Sequence, residues 1–121
     1  MPERTEMIFY ENLRNVIIKQ AVDDYLSAAR QIVALKKDKQ KIIIRTITNG
    51  LKLQNPKFLT YEQAEQDWQN KIARQRDTME SVEYFFRSYW YKQLCDISGE
   101  YMIAKTKERA LKVYGIDCDL L

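Results

Sequence analysis

Lys41-Ile42-Ile43-Ile44-Arg45-Thr46-Ile47-Thr48-Asn49-Gly50-Leu51-Lys52-Leu53 can be read in two ways, and the fold turns on which is right. Ile42, Ile43, Ile44, Thr46, Ile47 and Thr48 are β-branched, the residue type that suits a pleated strand. Their spacing points the other way. Ile43, Ile44, Ile47 and Leu51 fall on one helical face, Asp38 can cap the start, and Asn49-Gly50 can end the helix through a left-handed residue. A lone strand is not stable, and no other segment offers a partner strand. The stretch is therefore read as a short helix over residues 39–49.

Upstream, Phe9, Leu13, Val16, Ile17, Ala21, Tyr25, Ala28, Ile32 and Leu35 recur at three- and four-residue steps, with Lys19, Asp23, Asp24 and Arg30 between them. That pattern marks one buried face of a helix over residues 7–36, about 45 Å long at the helical rise. Only another long helix covers such a stripe.

Downstream, Pro56 sits in a loop over residues 54–59, and Thr60 with Gln63 forms a capping-box signature supported by Glu62, Glu65 and Asp67. Ala64, Trp68, Ile72, Met79, Val82, Phe86, Trp90 and Leu94 then hold a helical register over residues 61–95, broken only at Gln75, with Ser88 a place where it could bend. Ser98 or Asp96 can cap a last helix over residues 99–114, which Gly115 closes. The expectation is all-α: a single-domain bundle of about four helices spanning residues 1–121, with long first and third helices and a helix-turn-helix-like C-terminal pair.

Composition agrees. The 121 residues hold 45% hydrophobic and 31% charged residues with three Gly and two Pro, the balance of one folded helical domain. No uncharged run reaches the roughly 18 residues of a membrane span, and Glu3 and Glu6 precede the first apolar residues, unlike a secretory signal. A cytoplasmic protein without membrane partner is expected, with Cys95 and Cys118 reduced.

Net charge is only +3, but residues 1–60 carry eleven Lys and Arg against six Asp and Glu, whereas residues 61–121 carry nine against eleven. Lys36, Lys37, Lys39, Lys41, Arg45, Lys52 and Lys57 are opposed in their segment by Asp38 alone. Such a cluster attracts phosphates or an acidic surface, or is simply a solvated helix junction.

The chain contains no histidine, which removes the commonest general base, Ser-His and Cys-His nucleophile pairs, and most transition-metal sites. Gly50, Gly99 and Gly115 stand alone, so there is no glycine-rich phosphate loop. Asp23 and Asp24 are neighbours whose side chains diverge on a helix. Cys95 is the sole candidate nucleophile, with no adjacent cation to lower its pKa, and packing is its simpler role. No catalytic residue, cofactor or metal is expected.

Two features suit binding. Tyr84-Phe85-Phe86-Arg87-Ser88-Tyr89-Trp90-Tyr91 puts aromatic rings on every side of a helix, either packed between neighbours or, through Tyr84, Phe85, Arg87, Tyr89, Trp90 and Tyr91, offered to a protein partner. Beyond the turn at Gly99, Lys105, Lys107, Arg109 and Lys112 ride on the last helix, as on the second helix of a helix-turn-helix unit. The match departs at Thr106, which stands nine positions after Ile97 where an apolar residue is usual.

The run from Phe85-Phe86-Arg87-Ser88-Tyr89-Trp90-Tyr91-Lys92-Gln93-Leu94-Cys95-Asp96-Ile97-Ser98-Gly99-Glu100-Tyr101, with Tyr10-Glu11-Asn12-Leu13 and Val16-Ile17-Ile18-Lys19-Gln20-Ala21-Val22, resembles small uncharacterised helical proteins of phages and conjugative elements of Gram-positive bacteria. The resemblance implies a helical fold and a mobile-element origin, and implies no catalytic residues. It leaves out the basic segment over residues 36–57.

The expected function is therefore a non-catalytic accessory protein that binds nucleic acid through Lys105, Lys107, Arg109 and Lys112, assisted by Lys36, Lys37, Lys39, Lys41 and Arg45. A second reading is an inhibitor that docks its aromatic run or basic patch on a host nucleoprotein complex, in the manner of an anti-defence or anti-CRISPR factor. A third is a homodimer in which the aromatic run packs against its symmetry mate.

Overall fold

The computed structural model describes residues 4–121 and, from Glu11 onward, their side chains. Phe9 and Tyr10, part of the stripe and of the resemblance above, have side chains outside the described set. Five helices follow in order: α1 (Arg4–Lys37), α2 (Lys39–Lys52), α3 (Tyr61–Phe86), α4 (Tyr89–Leu94) and α5 (Gly99–Tyr114), with single 3-10 turns at Pro56–Phe58 and Cys118–Leu120. The described residues contain no strand, and the ambiguous isoleucine segment is helical.

α1 and α3 run antiparallel. The Trp68 indole N–H donates to the Leu35 carbonyl at 2.8 Å, Gln75 donates to Gln31 at 3.0 Å, and the Tyr25 hydroxyl donates to Glu83 at 3.3 Å, so rising numbers on one helix meet falling numbers on the other. α5 lies against both. Ala28 and Ala29 are fully buried on α1, and residues this small let two helices approach its backbone from different sides. Tyr25, Leu26 and Ile32 of α1, Ile72, Met79, Val82 and Phe86 of α3, Ile103 and Ala110 of α5, and Tyr91 and Ile116 complete the core. Truncating a residue as enclosed as Ile32 to Ala costs about 3 kcal/mol, the loss of its transfer energy plus the void it leaves.

α2 turns away from α1 at Asp38, which holds the cap position without a side-chain capping bond. Its backbone bridges the two helices instead, donating to Ala34 and accepting from Ile42. One side of α2 packs on the start of α3, where Ile43 and Ala64 are both 0% exposed. Ile44 and Leu51, placed on the same face by spacing, are exposed, since a single neighbouring helix covers too narrow an arc to take them all.

The sequence expectation for the end of α2 is corrected. Asn49 and Gly50 do not stop the helix, which runs on to Lys52, and the left-handed residue is Gln54, at φ 52°. Gly50 serves close packing. A Cβ there would lie 2.5 Å from the Phe58 carbonyl oxygen, so its hydrogen lets the 3-10 turn fold back onto α2, where the Asn55 N–H donates to the Gly50 carbonyl.

A second correction falls on the expected helix over residues 61–95. Its start is as predicted, with the Thr60–Gln63 box closed in both directions. It breaks at Arg87–Ser88. The Ser88 hydroxyl donates to the Phe85 carbonyl at 2.6 Å and accepts from the Tyr91 N–H at 3.2 Å, so one side chain both ends α3 and caps α4. Ser98 caps α5 and Gly115, at φ 66°, ends it, as the sequence implied.

Candidate nucleic-acid interface

The two cationic groups singled out by sequence lie on opposite ends of the molecule's helical order, and their surroundings differ. Lys36 and Lys37 close α1, Lys41 and Arg45 lie one turn apart on α2, and all four are exposed. None has an ion-pair partner among the described residues. Lys41 and Arg45 flank a shallow groove of about 300 Å³ whose floor includes Ala34, Leu35 and Ile42 and whose one carboxylate is Asp38. Thr48 and Lys52 continue the same exposed face.

Lys39 is spent internally. Its ammonium pairs with Glu65 at 3.3 Å and sits 4.5 Å above the Trp68 ring, which in turn caps a carbonyl at the end of α1. The residue thereby ties the corner to α3, a positioning role that the cluster's composition did not reveal.

On α5 the three lysines are engaged in ion pairs. Lys105 and Lys112 both reach Glu108, at 3.2 Å and 2.6 Å, and their hydrogen bonds hold its carboxyl below the usual carboxylate range. Lys107 lies between Asp119 at 2.9 Å and Glu83 at 3.5 Å, and the hydrogen bond it donates to Asp119 first of all raises its pKa. Arg109 alone stays exposed with no ion pair among the described residues. Sequence reasoning missed this because Glu83 and Asp119 are distant in the chain, whereas the Glu108 pairs were readable at three- and four-residue spacing.

The helix-turn-helix likeness loses its electrostatic basis in the same way. Its first helix is only the six residues of α4, and the amino end of α5 presents Glu100, which accepts from the Arg87 guanidinium at 2.6 Å. That pairing pulls the Glu100 carboxyl below its usual range. A phosphate approaching there meets a carboxylate. Thr106 fills the expected apolar position by burying itself, its hydroxyl donating to the Met102 carbonyl at 2.7 Å.

The aromatic run divides between core and surface. Tyr91 is 1% exposed and its hydroxyl donates to the Ile97 carbonyl at 2.8 Å, so this proposed interface residue belongs to the core with Phe86. Burial raises its phenol pKa. Phe85 is half-buried and stacks edge-on against Trp90 and Tyr91, at centroid distances of 5.4 and 5.7 Å. Tyr84, Tyr89 and Trp90 face solvent, and Arg87 is exposed but engaged with Glu100.

Both cysteines are free and partly buried, and burial pushes the Cys118 thiol upward despite nearby Lys107. No described helix is long and apolar enough to cross a membrane. No family model, curated protein or solved structure matches the chain, so the likeness to proteins of phages and conjugative elements rests on its own residues alone.

Proposed function

We propose that this chain is a non-catalytic nucleic-acid-binding protein that grips the phosphate backbone on the corner where α1 gives way to α2, and that it acts as an accessory factor of a mobile element. One observation carries the reading: Lys41 and Arg45 flank one groove beside the bend where Lys36 and Lys37 close α1, and all four are exposed without an ion-pair partner among the described residues. Unpaired cations release a polyanion's condensed counterions on binding, whereas paired ones must first lose a carboxylate. Contacts of this type position a duplex without reading its bases, so affinity varies little with sequence and steeply with salt. The mobile-element role is supported by the resemblance, and the absence of any imidazole in the chain favours recognition over catalysis.

Fluorescence anisotropy with a labelled duplex of arbitrary sequence tests it. With four phosphates engaged, log affinity should fall against log salt with a slope of about −3 to −4. No binding at about 20 mM salt, where the Debye length is long, overturns the reading.

A further inference from the structure

We infer that the groove at the α1–α2 corner takes up one unpaired base, guanine above all, so that the protein favours single-stranded over duplex nucleic acid; the inference rests on the phosphate-binding reading of that corner. Phosphate contacts alone need only cations on an open surface. Here Lys41 and Arg45 flank a hollow of about 300 Å³ with an apolar floor, at the small end of the pockets that hold a ligand. A duplex keeps its bases stacked inside and meets such a site with phosphates only, leaving the floor wet. A base splayed from a single strand can lie on Ala34, Leu35 and Ile42, with the Arg45 guanidinium available to its other face and its phosphates within reach of the cations.

The polar atoms around the hollow select the base. Those of its floor are already spent: the Ala34 carbonyl accepts from the Asp38 N–H at 3.1 Å, the Leu35 carbonyl from the Trp68 indole, and the Ile42 carbonyl from the Thr46 hydroxyl at 2.9 Å. The Gln31 amide is held by Gln75 and Ser27. Asp38 differs. Its side chain makes no capping bond and has no ion-pair partner among the described residues, although cations stand around it. An ionised carboxylate only accepts, and it opposes the phosphates that the corner attracts, so neither the fold nor phosphate binding uses it. Guanine offers two adjacent donors, N1–H and the N2 amino group, on the edge that base pairing would otherwise occupy, and they match the two carboxylate oxygens. Thymine and uracil offer there a single N–H flanked by two carbonyl oxygens, which repel the carboxylate.

Fluorescence anisotropy of the full chain at about 20 mM salt tests the inference with strands of roughly 16 nucleotides, in DNA and in RNA form. The probes are an all-thymine or all-uracil strand, a strand that alternates this base with guanine, and the duplex of the alternating strand. The alternating strand should bind about tenfold tighter than the uniform one, and tighter than its own duplex. Inosine in place of guanine, which lacks the N2 amino group, should lose most of that margin. Asp38→Ala should abolish the margin while the uniform strand binds at least as well, because a repelling charge is gone; a damaged fold would weaken both strands alike. Asp38 is exposed and its side chain caps nothing, so the variant should fold, which circular dichroism checks. A guanine margin on either sugar sustains the inference. Equal binding of the two strands, a duplex that binds as tightly as the alternating strand, or a margin that survives inosine or Asp38→Ala overturns it and leaves phosphate binding at the corner standing. Failure of every probe to bind removes both.

Discussion

The corner between α1 and α2 and the outer side of α5 carry similar numbers of lysines and arginines, yet they present different fields. At the corner, Lys36, Lys37, Lys41 and Arg45 share one nearby carboxylate, Asp38. On α5, Glu108 holds two lysines and a third is shared by Glu83 and Asp119. A run of cations in a sequence reports what charge is present; whether it is available depends on carboxylates that the fold brings in from elsewhere. Lys105, Lys107 and Lys112 are engaged within the fold, whereas the four at the corner have no ion-pair partner among the described residues.

The comparison can be broken most severely at Gly99. A Cβ there would overlap the Phe86 backbone carbonyl, which has no flexible end to move aside. Gly99→Ala should therefore displace α5 and cost about 3 kcal/mol, roughly 10 °C in a thermal melt. If the corner acts alone, the folded fraction should still bind nucleic acid with near wild-type affinity. Next, Lys41→Glu with Arg45→Glu should lower duplex affinity about 100-fold at low salt and flatten the salt slope by about two. A titration that leaves the slope unchanged would move the site elsewhere.

Smaller effects sharpen the contrast from the α5 side. Glu108→Gln releases Lys105 and Lys112, and should strengthen duplex binding about threefold, read by the same anisotropy titration. Acid acts in the same direction. Because the folded-state pKa of Glu108 is depressed, its stabilising contribution is complete above the usual carboxylate range and is lost as pH falls through that lowered value. Smallest of all, Lys105→Ala with Lys112→Ala should change affinity by no more than about twofold, since exposed paired lysines contribute little. A tenfold loss would restore α5 as the binding helix.

Much of the architecture was legible in the chain because local chemistry and helical period agree there. Thr60 and Gln63 are three apart, as a capping box demands, and the α1 stripe needs a helix to be continuous. Ile42 to Thr48 looked strand-like because β-branching reports stiffness, not direction, and the apolar spacing decided correctly. Two boundaries were misplaced for long-range reasons. Gly50 continues its helix because Phe58 must approach it, and α3 breaks at Ser88, whose hydroxyl serves two backbones at once. The candidate site was less legible. Lys107 looked free until Glu83 and Asp119 closed on it, and Tyr91 looked available until its hydroxyl was found donating to the Ile97 carbonyl. Such partners are set by topology, which periodicity within one helix does not encode.

The unbroken length of α1 makes it a caliper. From Val16 to the bend at Asp38 is about 33 Å along a single rigid rod. Because no break interrupts it, the basic corner and the exposed Leu13 and Val16 belong to one element and cannot be reoriented independently of each other.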